Sequence, residues 1–181
     1  MMVLHGYAAG KGIAIGRAHL VVRGISELPQ YHLPENELDG EAARFEAAVK
    51  ATRKQLEQLR SAIPENAPAE LGAFISLHLM LLGDVTLSRE PVDILKEQAI
   101  NAEWALKIQT DRLSQQFDEI DDEYLRQRKQ DMLQVVERIQ KNLAGQSTEL
   151  NLDANLLDDT ILIAHDLSAA DTLFFKDQRI E

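Results

Sequence analysis

The sequence predicts a mainly helical α+β fold, in which an antiparallel bundle of helical hairpins is inserted into an incomplete α/β domain. Glycines among β-favouring residues open the chain. They are followed by roughly 105 residues with helical apolar periodicity and short connections. A short apolar strand pattern then returns at Thr160–Ala164 and leads into a helix start. We therefore expect one region from residues 1–24 and 146–181, and a helical region from residues 25–145.

Composition excludes several classes of protein. The 181 residues are 45% hydrophobic and 27% charged, which is enough apolar material for a real core. A net charge of −11 without a basic block disfavours nucleic acid as a partner. The absence of cysteine excludes disulfides and cysteine nucleophiles. No apolar run approaches a membrane span and no signal peptide opens the chain, so we expect a cytoplasmic protein that does not bind membranes.

The opening and the first helix have clear signatures. Gly6, Gly10, Gly12 and Gly16 do not form a GxGxxG fingerprint, so they are expected to be turn glycines rather than a phosphate cradle. From residue 38 an apolar seam repeats at alternating spacings of four and three, which predicts one long helix of coiled-coil type. Its members are Leu38, Ala42, Phe45, Val49, Thr52, Leu56, Leu59 and Ile63.

Prolines and glycines divide the rest of the helical region. A second helix is expected between Pro68 and Gly83, and a third begins at Pro91. Asn101 is expected to cap a fourth helix, and a fifth would end at Gly145. The predicted apolar stripes are Leu71, Ile75, His78 and Leu82; Val92, Leu95 and Ala99; Trp104, Ile108, Leu113, Phe117 and Ile120; and Leu125, Arg128, Met132, Val136, Ile139 and Leu143.

His78 leaves two interpretations open. Its position in the apolar stripe predicts a half-buried histidine at a helix–helix contact. The neighbouring Met80, Leu81 and Leu87 instead predict a histidine at the edge of an exposed apolar patch, where a partner would dock. The sequence alone does not separate the two.

Other groups of polar residues predict little chemistry. None of the five histidines has a second ligand at the spacing of a helical metal pair, so no metal site is expected. His165 and Asp166 follow a strand, where adjacent side chains point to opposite faces, which favours a structural turn over an acid–base pair. The acidic run at 118–123 lacks the glycine and terminal glutamate of a calcium loop. It is expected to be a solvated helix-capping turn or an electrostatic docking patch.

Four segments in order resemble phosphoenolpyruvate-protein phosphotransferase, the enzyme I family of the bacterial sugar phosphotransferase system. They are Gly10-Lys-Gly-Ile-Ala-Ile-Gly16, Phe74-Ile-Ser-Leu-His-Leu-Met-Leu-Leu-Gly-Asp84, Asn101-Ala-Glu-Trp-Ala-Leu106 and Asp121-Asp-Glu-Tyr-Leu-Arg-Gln-Arg128. The strand and turn from Ile161 to Asp171 extend the resemblance. Together the segments span nearly the whole chain.

The resemblance implies a function and a fold. Family members pass a phosphoryl group from phosphoenolpyruvate through their own histidine to the histidine-containing phosphocarrier protein HPr. The flanking region would then be a truncated α/β phosphohistidine domain, and the helical hairpins would be the carrier-docking platform. The family's acceptor histidine lies in a Gly-Gly-Arg-Thr-Ser-His-Thr motif that these residues lack. We therefore expect no catalytic residue in this chain and no activity from it alone.

The resemblance also implies cofactors and partners. Magnesium is expected only in a downstream barrel that also dimerises the full-length enzyme, whereas the isolated chain is expected to be a monomer without a cofactor. The carrier-binding residues carried over from the family are Glu70, Phe74, His78, Met80, Leu81, Asp84, Leu87, Phe117, Tyr124 and Arg128. Val85 and Thr86 stand where members often have acids, and Ala169-Ala170 replaces the usual Pro-Ser. Carrier contacts are therefore expected to be weaker or differently distributed.

Two alternatives remain open at this point. One is a non-enzymatic helical scaffold or adaptor that binds some other protein. The other is the nitrogen-related paralogue of the same family, which usually has a sensory domain ahead of the opening strand. A strand that begins almost at Met1 favours the sugar branch.

Overall fold

The computed structural model describes residues 15–21, 28–64, 67–119, 122–145 and 160–164. By its internal contacts the chain divides into two compact units. One unit is Met1–Arg23 with Leu152–Glu181, and the other is Gly24–Asn151. The remaining predictions for the glycine-rich opening, for Ile120, and for His165, Asp166 and the turn after them lie outside the described residues.

The first unit contains two strands, β1 (Arg17–Val21) and β2 (Thr160–Ala164). They pair in parallel, with Arg17 opposite Thr160 and Val21 opposite Ala164. A parallel pair requires a long connection, and here the connection is the entire helical region. The predicted strand at Thr160–Ala164 is confirmed, with Ile161 and Ile163 half-buried.

The second unit is helical in its described residues. After a single 3-10 turn at Glu35–Glu37, its helices are α1 (Leu38–Ser61), α2 (Ala69–Gly83), α3 (Val85–Ser88), α4 (Glu90–Gln98), α5 (Ala102–Asp118) and α6 (Glu123–Leu143). Helix α1 packs against α2, α4, α5 and α6. The prediction of a mainly helical protein is therefore confirmed.

Helix α1 follows its predicted seam in part: it ends at Ser61, before Ile63, it buries Ala48 in place of Val49, and Leu38 and Leu59 at its two ends are only half-buried. It is rich in strong helix formers, begins with Asp39 and Glu41 in its first turn and has Arg60 in its last, which suits the helix dipole. Ala42, Phe45, Ala48, Thr52 and Leu56 are buried. The other helices and the connection between α4 and α5 add further buried apolar side chains to this core, and each contributes about 1.5–3 kcal/mol by leaving water. The largest are Ile75, Leu82, Leu87, Leu95, Ile100, Leu106, Val135 and Ile139.

The buried face of α5 differs from the prediction. Its buried residues are Ala102, Glu103, Ala105, Leu106, Gln109 and Thr110, whereas Trp104, Ile108, Leu113 and Phe117 are only half-buried. Each polar side chain of the buried face has a hydrogen-bond partner, and Glu103 accepts a hydrogen bond from Arg44. Thr110 donates to the Leu106 carbonyl at 2.7 Å, and Gln109 donates to Glu90 at 2.5 Å. These hydrogen bonds let a face with little apolar character lie in the core.

Helix ends confirm several predictions and correct one. Helix α2 ends at Gly83, Pro91 lies in the first turn of α4, and Gly145 adopts a left-handed φ of 64° after α6. Asn101 precedes α5 but makes no side-chain capping bond. The predicted N-cap position is thus confirmed, but the Asn101 side chain bonds to the segment near Tyr31 and to Glu103 and not to the first backbone N–H groups of α5. The four-residue helix α3 was not predicted.

None of the described helices is by itself long and apolar enough to cross a membrane. Ala69–Gly83 and Val85–Gln98 meet the test of length and hydropathy only when taken together, and they are bent by 64° at the break.

Candidate functional site

One flank of α2 carries apolar side chains that the bundle does not cover completely. Glu70, Phe74, Leu77 and Leu81 follow one another at spacings of four, three and four residues, which places them on the same side of the helix. We name these four residues the α2 flank. Glu70 is exposed, and the other three are half-buried. The flank therefore lies between the buried and the exposed faces of α2 and presents apolar surface to solvent.

His78 lies on the buried side of α2. The residue is 1% exposed, and its ring stands 4.1 Å from the Phe74 ring between centroids. Neither ring nitrogen has a hydrogen-bond partner. Burial, assisted by the charge of Arg138, lowers the pKa of His78 to about 4. The interpretation that placed His78 at the edge of an exposed patch is therefore wrong, and the other placed it on the correct side of α2 but predicted a half-buried ring where the ring is almost fully buried.

The C-terminal end of α2 and the turn after it add exposed residues beside the α2 flank. Met80 is 66% exposed and Val85 is 58% exposed. Between them Asp84 caps α3, because its carboxylate accepts hydrogen bonds from the Thr86 backbone N–H at 2.9 Å and from the Thr86 hydroxyl at 2.8 Å. Leu87 on α3 is 2% exposed, so it anchors this turn in the core.

The remaining candidate residues lie on the α5–α6 hairpin. Phe117 is half-buried near the end of α5, and Arg128 is half-buried on α6, 3.7 Å from Asp131. Tyr124 belongs to the first turn of α6. Helix α6 packs against both α2 and α5. The structure thus places the ten predicted residues on four elements, α2, α3, α5 and α6, and on the turn at Asp84.

Two residues of this surface were missed by sequence reasoning. Leu77 completes the α2 flank, and its spacing of three from Phe74 and four from Leu81 could have indicated it. Val85 was noted only as a departure from an acidic pattern. Its exposure depends on the sharp turn at Asp84, for which the sequence signal is a single Asx-type cap.

Acidic and apolar groups are mixed on this surface. Glu70 and Asp84 are both exposed next to the apolar side chains. Among the described residues, no group of three or more His, Cys, Asp or Glu side chains could hold a metal ion. The arrangement suits a contact with another molecule, because it offers apolar area with negative charge at its border.

Residues 5–128 match the family described as "PEP-utilising enzyme, N-terminal". The chain belongs to this family. Phosphoenolpyruvate-protein phosphotransferase of Cupriavidus necator is 44% identical over 180 residues, which cover 96% of this chain and 31% of the relative. The same enzyme from Listeria monocytogenes is 30% identical over 169 residues, which cover 93% of this chain and 29% of the relative. The predicted resemblance to phosphoenolpyruvate-protein phosphotransferase is therefore confirmed.

Solved structures agree with the family. A solution structure described as Enzyme I (nEIt) matches with a TM-score of 0.72 and 26% identity, over 89% of this chain and 64% of that one. A structure described as the N-terminal domain of Enzyme 1, Nitrogen, shares the fold with a TM-score of 0.66 and 24% identity, over 93% of this chain and 68% of that one. The chain spans about a third of the length of the two phosphotransferases above.

Proposed function

We propose that the helical unit is the docking platform for the phosphocarrier protein HPr. It would act in an enzyme that passes a phosphoryl group from phosphoenolpyruvate, through its own histidine, to that carrier during sugar uptake. The observation that carries the proposal is the half-exposed apolar flank of α2 with Met80 and Val85 beside it. Membership of the family supports a phosphocarrier as the kind of partner.

The chemistry of the docking face fits a carrier that binds briefly. Glu70 and Asp84 border the apolar area, so a partner with an apolar patch ringed by basic residues would be attracted. Such attraction mainly raises the association rate and is screened within about 8 Å at physiological ionic strength. A transient contact also needs only a small interface.

We assign the carried-over residues to two roles. Met80, Leu81, Phe74, Glu70 and Asp84 would touch the carrier, together with Phe117, Tyr124 and Arg128 on the α5–α6 hairpin. His78 and Leu87 would support this face from beneath, because both are almost fully buried. Leu77 and Val85 join the contacting set because each presents apolar surface to solvent.

The rest of the proposal concerns the regions around the helical unit. Residues 1–24 with 146–181 would belong to an α/β phosphohistidine domain, and the parallel pairing of β1 with β2 supports this. The acceptor histidine, the magnesium site and the dimer contact would lie in a further part of the full-length, cytoplasmic enzyme. The present residues would supply recognition without the nucleophile.

Titration of ¹⁵N-labelled HPr with the 181-residue chain tests the docking face. We expect weak, salt-sensitive binding that Met80→Asp lowers by on the order of 1–3 kcal/mol, because a carboxylate would be pressed against apolar surface without hydrogen bonds. Met80 is a sound site for this change because its side chain is mostly exposed, so the fold is retained. Leu81→Asp should weaken binding at least as much, with circular dichroism to verify folding.

Matched variants separate the docking face from general charge effects. Ala43→Asp adds the same charge at an exposed position of α1 and should leave affinity nearly unchanged. Asp84→Asn keeps a capping oxygen but removes the charge, so it should slow association more than it destabilises α3. Absence of HPr binding by the wild-type chain would favour the scaffold alternative. Binding that neither aspartate variant weakens would place the docking face elsewhere on the unit.

A further inference from the structure

A partly buried polar network lies where the chain enters and leaves the helical unit. Arg44 on α1 donates two hydrogen bonds to Glu41, from Nε at 2.9 Å and from Nη2 at 2.7 Å. The same Nη2 donates to Glu103 Oε2 at 2.6 Å. Glu41 in turn accepts the Ala102 backbone N–H at 2.8 Å. The carboxylates of Glu41 and Glu103 are largely buried, so this network is built into the fold.

Asn101 connects the network to the incoming segment. Its Nδ2 donates both to Glu103 Oε2 and to the Pro29 carbonyl, each at 2.8 Å. Its Oδ1 accepts the Tyr31 N–H at 3.2 Å, and its own N–H donates to the Tyr31 carbonyl at 3.1 Å. The Leu33 N–H adds a bond to the Ala99 carbonyl at 2.8 Å.

An isolated antiparallel bridge between His32 and Ile100 continues this pairing. The His32 ring meets the Trp104 ring edge-on, with 5.2 Å between centroids. Residues 29–33 are therefore strapped along the loop between α4 and α5 by backbone, side-chain and ring contacts. Asn101 is the side chain that spans from this strap to the charged network.

The other end of the unit meets the same arginine. Arg44 Nη1 donates to the Leu143 carbonyl at 3.0 Å, and Leu143 is the last residue of α6. A free carbonyl at a helix C-terminus normally needs such a donor. The guanidinium of Arg44 thus bonds directly to the outgoing end of α6 and, through Glu103 and Asn101, is linked to the incoming strap, about 110 residues earlier in the chain.

We propose that Arg44, Glu103 and Asn101 form a clamp that joins the incoming strap at residues 29–33 to the outgoing end of α6. The clamp links the first and the last segments of residues 29–143, so that the part of the chain between them folds as one body. A planar guanidinium suits this role because its donors point in fixed, divergent directions, whereas a lysine has one ammonium group. Buried hydrogen bonds to Arg44 also lower the pKa of Glu41, so the network keeps its charge.

Residue-resolved hydrogen exchange on the 181-residue chain tests the clamp. In Arg44→Met we expect the exchange rate to rise about tenfold or more at the amides of Tyr31, Leu33 and Ala144. A change of this size corresponds to the loss of one hydrogen bond made by a charged group. Asn101→Ala should raise exchange at Tyr31 and Leu33 only. Arg60→Met, the same change at an exposed position of α1, should alter none of these amides.

Two results would overturn the proposal. The first is that Arg44→Met accelerates exchange only at Tyr31 and Leu33, or only at Ala144. The second is that exchange rises equally at every amide of the helical unit. A clamp would affect both ends of the unit and leave its interior amides protected. Should Arg44→Met fail to fold, Arg44→Lys carries the same test. Wild-type protection at both ends in Arg44→Lys would show that charge alone suffices and would refute the clamp.

Discussion

His78 shows how a single buried side chain can couple stability to pH. Its pKa is lowered to about 4 by burial and by the charge of Arg138, against about 6.5 in an unfolded chain. Because the folded-state pKa is depressed, the unfolded chain binds a proton first as the pH falls. The contribution of His78 is therefore fully present above about pH 6.5 and is lost progressively toward pH 4.

His78→Leu should flatten this part of the pH profile. The wild type is expected to lose about 2–3 kcal/mol more than the variant between pH 7 and pH 4, measured by urea unfolding at each pH. At pH 7 the variant should be at least as stable, because two buried nitrogens without partners are removed. If the free energies of unfolding of the two proteins changed in parallel with pH, the pKa of His78 would be the same in the folded and unfolded states, and the argument would be wrong.

At the scale of elements, two helix ends have left-handed backbone with opposite consequences for mutation. Ala99 ends α4 with φ 51° and ψ 50°, and Gly145 follows α6 with φ 64°. A side chain in this region is strained by about 1 kcal/mol, whereas glycine is not. Ala99→Gly should therefore stabilise the chain by about 0.5–1 kcal/mol, and Gly145→Ala should destabilise it by about 1 kcal/mol. Thermal unfolding would measure both, and shifts of the same sign would contradict the strain argument.

The elements also show which parts of the fold a sequence can predict. Helix α1 was predictable because its apolar periodicity is long, and four of its predicted positions, Ala42, Phe45, Thr52 and Leu56, are buried. Helix α5 was predicted with the wrong face, because Gln109 and Thr110 are buried through hydrogen bonds that no periodicity reveals. Asn101 has the residue type of a cap, yet its partners lie about 70 residues earlier in the chain. Local rules fail where a polar side chain finds a distant partner.

In the candidate site, too, helical spacing was predictable from the sequence, whereas burial set by tertiary packing was not. Met80 and Leu81 were identified from the family pattern, and helical spacing explains the flank that Leu81 shares with Phe74. The depth of His78 was not predictable, because it depends on how closely α1 and α6 pack against α2. Exposure at Val85 likewise depends on the turn at Asp84, which is a property of the tertiary structure.

At the scale of the whole molecule, the chain should recognise a partner without performing chemistry. We expect no stable label when the 181 residues are incubated with ³²P-phosphoenolpyruvate and magnesium, because no histidine lies in the acceptor motif. A full-length family enzyme is the positive control, and acid and base treatment of the product distinguishes phosphohistidine, which is a phosphoramidate, from phosphate esters. Stable label on His78 or His165 would contradict the assignment of these residues to recognition alone.

The parallel pairing of β1 with β2 joins two distant parts of the chain, so folding pays a large cost in chain entropy to bring them together. Arg17 pairs with Thr160 and Val21 with Ala164, so each pair joins residues about 140 positions apart and closes a loop at a high cost in chain entropy. Once residues 29–143 have formed a body joined through Arg44, Glu103 and Asn101, only about two dozen residues of that loop lie outside this body. Because closure entropy grows with the logarithm of loop length, the cost falls by about 1.5 kcal/mol. The arginine that binds Leu143 thereby favours the joining of two strands that it does not need to touch.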